Sequence, residues 1–382
     1  MKKLCAITTV DVTMSNFVVD AMRELAREGY EVTLVCSMSE KFLRQNAKEF
    51  HCIHLPMARG ISFWDLFRSV FFFYRFFRRE KFDYVQYATP NASLYASVAA
   101  WLARIPRRVY CQWGIRYVGA SGGMRRLLKL LEKLVCRLST HVRAASRKNL
   151  AYAVKEGLYK KEKAAIIGDG GTIGVDFSLF DIERKQEFRK TVLLEYPELR
   201  DKIVFCFVGR IQKDKGFHEL LTAFCAVYQK GENAALLVVG DRDGEFGEGI
   251  SACRGIIFTG YTAEVYKYMS VADVLVHPSY REGFSMVIQQ GMAMGLPVIT
   301  TNIPGPSEVI EEGISGILVP PKDAACLLEA MLCLLYDHSL RVRMGMAGYR
   351  RAKLLFNRRR MLELTLYDRK SIIENKISCD LI

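Results

Sequence analysis

The chain has 382 residues, half of them hydrophobic and a quarter charged, with a formal net charge of +14. That length exceeds one ordinary core and suits two domains of middling size, with the composition of a soluble globular protein. Eleven cysteines stand singly without CxxC or CxxH spacing, which points to a reducing cytosol and excludes a disulfide framework and a zinc site.

The opening MKKLCAITTVD reads as a buried first strand rather than a signal sequence, because Asp11 ends the apolar run early. Short β-branched or aromatic runs follow, YEVTLVC, FDYVQYA, RRVYCQW and THVRAAS, alternating with amphipathic stretches such as NFVVDAMRELAREG. The uncharged run from Tyr84 to Ala103 is broken by Pro90 and Asn91, so it reads as strand, turn and helix and not as a membrane span. Repeated β-α units imply a parallel sheet with helices on both faces. A first domain over 1–170 is therefore expected, followed by a linker over 171–200 within the glycine-rich stretch that begins GDGGTIGVDFSLFD. The alternation resumes in a second domain over 201–355, with strands in DKIVFCFVG, AALLVVGD, GIIFTG, DVLVHP, PVITT and GILVP. A helical segment closes the chain over 356–382.

The positive charge is one-sided. Residues 1–170 hold 29 Lys+Arg against 14 Asp+Glu, and the remainder is nearly balanced. Such a field suits an anionic partner: nucleic acid, a phospholipid surface or a phosphorylated substrate.

In open parallel sheets, ligands bind beyond the carboxyl ends of the strands, and two such junctions carry candidate chemistry. In FVGRIQKDKGFHELL a strand ends at Gly209, Arg210 follows, and Lys215 with Gly216 opens a helix. Fixed cations beside a helix N-terminus form an anion site suited to a diphosphate. In HPSYREGFSMVIQQGMAMGLPVI, Pro278 ends a strand over 273–276, and Glu282, Gly283, Phe284 and Ser285 form the loop before a helix running to about Met294. Gly283 permits close approach of a ligand, and the amides of Phe284 and Ser285 are first-turn donors. Glu282 is alternatively a plain helix N-cap, and Gln290, two turns on, a plain surface or interhelix amide.

Together G-R-x4-K-G, E-G-F-x-x-V-x-x-x-x-M-A-x-G-x-P-V-I, G-P-S-E and G-x-L-V-P-P-x-D resemble the retaining, nucleotide-sugar-dependent glycosyltransferases of family 4, strongly over 203–329. RVYCQWGIRYVGASGG, STHVRAAS and IIGDGGTIGVD look like that family's bacterial capsular and surface-polysaccharide branch. The resemblance implies the GT-B fold, two doubly wound Rossmann-like α/β domains with a cleft between them, the first holding the acceptor and the second the donor. It implies that Arg210 and Lys215, beyond Gly209, neutralise the donor pyrophosphate, and that Glu282 with Gly283, Phe284 and Ser285 holds the transferred sugar. The second carboxylate of the family's E-x7-E signature, usually a ribose ligand, falls on Gln290, a departure. An amide still accepts from a ribose hydroxyl, at a loss of about 1 kcal/mol against a charged acceptor.

Asp241-Arg242-Asp243 follows VVG and reads as a solvated turn, so no divalent ion and no cofactor are expected. Where family members often carry a histidine, this chain has QWGIR, which makes Arg116 a candidate for an anionic acceptor or the donor phosphates. Asp11 is a candidate acceptor-hydroxyl ligand. SFWDLFRSVFFFYRFFRREK and MRRLLKLLEKLVCRLS mix apolar side chains at helical spacing with Lys and Arg, as helices on an anionic bilayer do; covering a sheet is the alternative. RRAKLLFNRRR joins that face if the last helix crosses back to the first domain.

The reading is a peripheral enzyme on the cytoplasmic face of the inner membrane. It transfers a sugar from a nucleotide donor, UDP-linked by expectation, to a polyprenyl-diphosphate-linked saccharide acceptor. Rival readings are a UDP-sugar 2-epimerase or phosphorylase on the same fold, a catalytically dead scaffold, and a basic nucleic-acid-binding protein. No nucleic-acid reading motif interleaves with the basic excess, so nucleic acid is not an expected partner.

Overall fold

A computed structural model describes residues 1–57, 63–241 and 254–375. The chain divides into two compact units: Met1–Ile173 together with the C-terminal segment from Arg359, and Gly174–Arg358.

Among the described residues the first unit is built on seven parallel strands, β1 (Lys3–Val10), β2 (Glu31–Ser37), β3 (His51–His54), β4 (Tyr84–Ala88), β5 (Arg107–Gln112), β6 (His141–Ala144) and β7 (Ala164–Ala165). Their order is β3-β2-β1-β4-β5-β6-β7. The order reverses between β1 and β4, and right-handed crossovers then send the helices to opposite faces. One face is packed by α1 (Asp11–Phe17), α2 (Val19–Arg27) and α3 (Glu40–Asn46), through Met14, Met22, Leu25 and Phe42. The other is packed by α4 (Phe63–Glu80), α5 (Pro90–Leu102), α6 (Gly122–Leu138) and α7 (Arg147–Lys155), through Phe73, Phe77, Tyr95, Ala99, Val135 and Ala153. The amphipathic run around NFVVDAMRELAREG is divided at Val18, whose φ of −127° separates α1 from α2.

The second unit repeats the plan. Among the described residues its strands are β8 (Ile203–Val208), β9 (Ala234–Val239), β10 (Ile256–Gly260), β11 (Val274–His277), β12 (Val298–Thr301) and β13 (Gly316–Val319), all parallel, in the order β10-β9-β8-β11-β12-β13. Its helices are α8 (Lys185–Glu195), α9 (Phe217–Gln229), α10 (Val265–Met269), α11 (Met286–Ala293), α12 (Pro306–Val309), α13 (Ala324–Tyr336) and α14 (His338–Leu355). The central strands IVFCFV and AALLVV are almost wholly buried, as unbroken apolar runs are when both sheet faces are covered. The stretch 171–200 is no free linker. From Gly174 it belongs to the second unit: α8 buries Phe188 and Val192, and Arg189 donates to the Val271 carbonyl at 3.0 Å.

The closing helix α15 (Arg358–Glu374) returns to the first unit, with Ile372 and Ile373 in the core beneath α1 and α2. A buried polar network fixes it. Arg143 Nε donates to Asp368 Oδ1 at 2.7 Å, Arg369 donates to the other Asp368 oxygen, and Arg369 Nε reaches Gln86 Oε1 at 3.1 Å. Burial works against the Asp368 charge, yet the two guanidinium groups outweigh it and hold the carboxyl below its ordinary range.

Candidate functional site

The reversal of strand order in the second sheet lies between β8 and β11, where an open α/β sheet leaves a crevice beyond its strand ends. The two loops that leave these strands are the two junctions singled out above. They fit against each other because one residue has no side chain. Gly216 adopts φ +68° at the start of α9, and a Cβ there would stand 2.0 Å from the Pro278 carbonyl oxygen. The contact is zipped by Tyr280 N donating to the Asp214 carbonyl at 2.9 Å and by an Arg281–Asp214 ion pair at 3.0 Å. Gly305 does the same on the far side, where a Cβ would lie 2.3 Å from the Gly283 carbonyl.

This approach brings Lys215 to Glu282. Its ammonium donates to Glu282 Oε1, which also accepts from His277 Nε2 at 3.1 Å and from Ser279 Oγ at 3.3 Å. Ser279 and Ser285 hydroxyls flank the same His277 nitrogen at 3.3 and 3.2 Å. Burial pushes the Glu282 carboxyl up, but the Lys215 charge and the His277 hydrogen bond prevail, so it lies far below the usual carboxylate range. The site therefore presents an ionised carboxylate beside a cation. A sugar esterified to a diphosphate asks for that pair of groups at adjacent points.

The remaining expected residues divide. Gly209 ends the β8 turn at φ +147°, bonded to Val239, and Arg210 beyond it is exposed. Glu282 is not the N-cap of the following helix: Ser285 is, accepting from Ile288 N at 3.4 Å. The first-turn donors of α11 thus begin at Met286, two residues later than expected. The Phe284 side chain is buried with its ring 5.4 Å from that of Phe356 and is a packing residue. Gln290 is half-buried on α11, next to the fully buried Gln289. In the first unit Arg116 is exposed, and Asp11 accepts from Ser39 N at 2.8 Å, which ties α1 to the entry of α3. Of the DxD triplet, Asp241 accepts from Tyr261 N at 2.9 Å, while Arg242 and Asp243 lie outside the described residues. Among the described residues no three His, Cys, Asp or Glu side chains form a group that could hold a metal ion.

Sequence reasoning missed His277 and Ser279. The signal was present, because HPS directly follows the buried DVLV strand and precedes the loop carboxylate. It also missed Thr89, which takes φ +69° at the matching reversal point of the first sheet. There its hydroxyl lies 2.7 Å from that of Thr9. A threonine held in that conformation stores strain of about 1–3 kcal/mol.

Comparison with known proteins gives the family and the fold. A family model described as "Glycosyl transferase 4-like domain" matches residues 13–170, and one described as "Glycosyl transferases group 1" matches residues 202–337. The capsular polysaccharide biosynthesis glycosyltransferase CapM of Staphylococcus aureus is 29% identical over 339 residues, 87% of this chain and 88% of that protein. The UDP-Gal:alpha-D-GlcNAc-diphosphoundecaprenol alpha-1,3-galactosyltransferase of Escherichia coli is 22% identical over 330 residues, 83% of each. Among solved structures, sucrose-phosphate synthase from Thermosynechococcus elongatus shares the fold with a TM-score of 0.80, covering 98% of this chain and 100% of that one at 20% identity. With two doubly wound sheets and a family match on each, the chain belongs to the group 1, family 4-like glycosyltransferases and is an enzyme of the GT-B fold.

Proposed function

We propose that this glycosyltransferase moves a sugar from a UDP donor to a polyprenyl-diphosphate-linked saccharide, with retention at the anomeric carbon and without a metal, in the assembly of a surface or capsular polysaccharide. The observation that carries the reading is the Lys215–Glu282 contact at the strand-order reversal of the second sheet. The substrate class is supported by the E. coli relative, whose name states a UDP-galactose donor and a diphosphoundecaprenol acceptor.

In this reading Lys215, with Arg210, takes the negative charge that builds on the β-phosphate as the anomeric C–O bond breaks. Glu282 accepts from hydroxyls of the departing sugar and fixes its orientation. His277 and Ser279 hold Glu282 and are positioning residues. The acceptor hydroxyl attacks from the face the diphosphate leaves, forms the new C–O bond, and passes its proton to a leaving phosphate oxygen. Arg116 and Asp11 stand at the end of the first unit where the acceptor is placed, and the enzyme works as a peripheral protein on the cytoplasmic face of the membrane.

The test is incubation with a panel of UDP-sugars and lipid-linked acceptors, with EDTA present and absent and with the anomeric configuration of the product read by NMR. Transfer that is EDTA-insensitive, retains configuration and drops at least about 100-fold in Glu282→Ala and in Arg210→Ala is the expected result. No transfer by the wild type, or undiminished transfer by both variants, overturns it. Conversion of a UDP-sugar with no acceptor present identifies an epimerase instead.

A further inference from the structure

A helix that covers a sheet buries one stripe of side chains and gives the other to water. In the α4–α5–α6 layer the outward stripe is not polar. Helix α4 buries Phe73, Phe76 and Phe77 and exposes a second aromatic row on the opposite side: Trp64 at 85%, Phe67 at 70% and Phe71 at 61%. Helix α6 buries Val135 and Cys136 and exposes Leu127, Leu130 and Leu134, with Leu130 at 66%. Helix α5 packs against both and exposes Trp101 at its end.

The polar members of the same outward faces are of one sign. Arg68, Arg75 and Arg78 on α4, and Arg126, Lys133 and Arg137 on α6, are exposed, and none is in an ion pair among the described residues. The one acidic residue of α6, Glu132, turns inward to Tyr110 and Gln112. Lys133 and Arg137 also border a shallow depression of about 520 Å³, lined further by Thr140, Lys160 and Lys163. An apolar row framed by unpaired cations repels a second copy of itself and suits a surface that is oily beneath and anionic above.

We infer that the outer face of α4, α5 and α6 docks on an anionic lipid bilayer, with Trp64, Phe67, Phe71 and the α6 leucines entering the acyl boundary and the flanking Arg and Lys side chains holding lipid phosphates. The charge is complementary and the contact weakens with salt. The docking face stands on its own geometry. That it delivers the enzyme to a lipid-linked acceptor rests on the function proposed above.

The experiment is flotation of the full-length protein with vesicles of phosphatidylcholine alone or mixed with phosphatidylglycerol, together with tryptophan emission. The wild type is expected to float with the mixed vesicles and not with the neutral ones, and to be released by salt. Trp64 emission shifts to the blue on binding, and does so still in a Trp101→Phe, Trp113→Phe background. The Trp64→Ser, Phe67→Ser, Phe71→Ser variant and the Lys133→Glu, Arg137→Glu variant each partition at least about tenfold more weakly. Both keep wild-type transfer to a short-chain, water-soluble acceptor, which shows them folded. Wild type that ignores anionic vesicles, or an unshifted Trp64, overturns the docking face; so does lipid-free self-association abolished by the aromatic variant. Transfer to the soluble acceptor without vesicle binding sinks the docking face alone, and vesicle binding without any transfer sinks the proposed function alone.

Discussion

The contact between Lys215 and Glu282 carries the site, and its energy can be measured. Both side chains are 18% exposed, so solvent screens the pair only in part. Two unit charges about 4 Å apart at an effective dielectric of 20 attract by about 4 kcal/mol, and desolvation returns much of that. A net coupling of about 1.5–3 kcal/mol remains for a charge-assisted pair that also shares His277 and Ser279. The perturbation is Lys215→Met, Glu282→Gln and the two combined. Either single change strands the partner's charge and costs about 2–3 kcal/mol, and the double change costs about as much as one single, because nothing is left stranded. For a unit of this size each kcal/mol lowers Tm by about 2–4 °C, so each single variant melts about 4–12 °C lower. The chain supplies its own control. Its three tryptophans, Trp64, Trp101 and Trp113, all lie in the first unit, so fluorescence follows that unit and far-UV circular dichroism follows both. The shift is expected in the dichroism transition and not in the fluorescence one. Losses that add within about 0.5 kcal/mol would refute the reasoning, since additive sites do not interact.

Three further outcomes follow from the same structure. Gly216→Ala places a Cβ 2.0 Å from a backbone oxygen, whereas Gly231→Ala, at a similar φ of +77°, meets nothing within 4 Å. In thermal melts Gly231→Ala is expected to cost about 1 kcal/mol and Gly216→Ala clearly more, with loss of UDP-sugar binding only in the latter; equal costs would show that the loops do not touch. By calorimetry, Gln290→Ala is expected to weaken donor binding by about 1 kcal/mol and Gln290→Glu to leave it intact or strengthen it; indifference to both assigns position 290 to packing. Burial, aided by the Arg143 charge, lowers the His141 pKa to about 4. The unfolded chain therefore binds more protons than the folded one between that value and the ordinary 6.5, and the His141 contribution is lost as pH falls through that window. His141→Asn should flatten the pH dependence of the fluorescence-detected melt there, and an unchanged profile counts against it.

The parts of the fold that were legible are those written in short-range pattern. Continuous apolar runs such as IVFCFV and AALLVV declare central parallel strands, because both faces of the sheet demand apolar side chains. The strand HCIH at the sheet edge did not declare itself: it is short, ends in histidines at both sides and is only partly buried, so it lacks that demand. Glycine and charge marked the linker 171–200 falsely. What places that stretch in the second unit is Phe188 and Val192 inserting under distant residues, a long-range fact no local window contains. The site was half legible for the same reason. Glu282 and Lys215 each stand at a readable strand-to-helix junction, but their meeting depends on Gly216 approaching Pro278 across 62 residues of sequence. His277 and Ser279 look in sequence like the end of a strand, and only packing turns them toward Glu282.

That meeting also bears on how an amide at position 290 fits the donor site proposed above. The Glu282 carboxylate accepts from Lys215, His277 and Ser279, so its orientation is set before any ligand arrives. In the function proposed above, an entering diphosphate gives Lys215 a second anionic partner and relaxes its hold on Glu282, which frees an acceptor for the sugar hydroxyls. If Gln290 meets the ribose of the proposed donor, it stands outside that exchange, where a neutral acceptor loses about 1 kcal/mol of affinity and none of the charge stabilisation on which bond breaking depends.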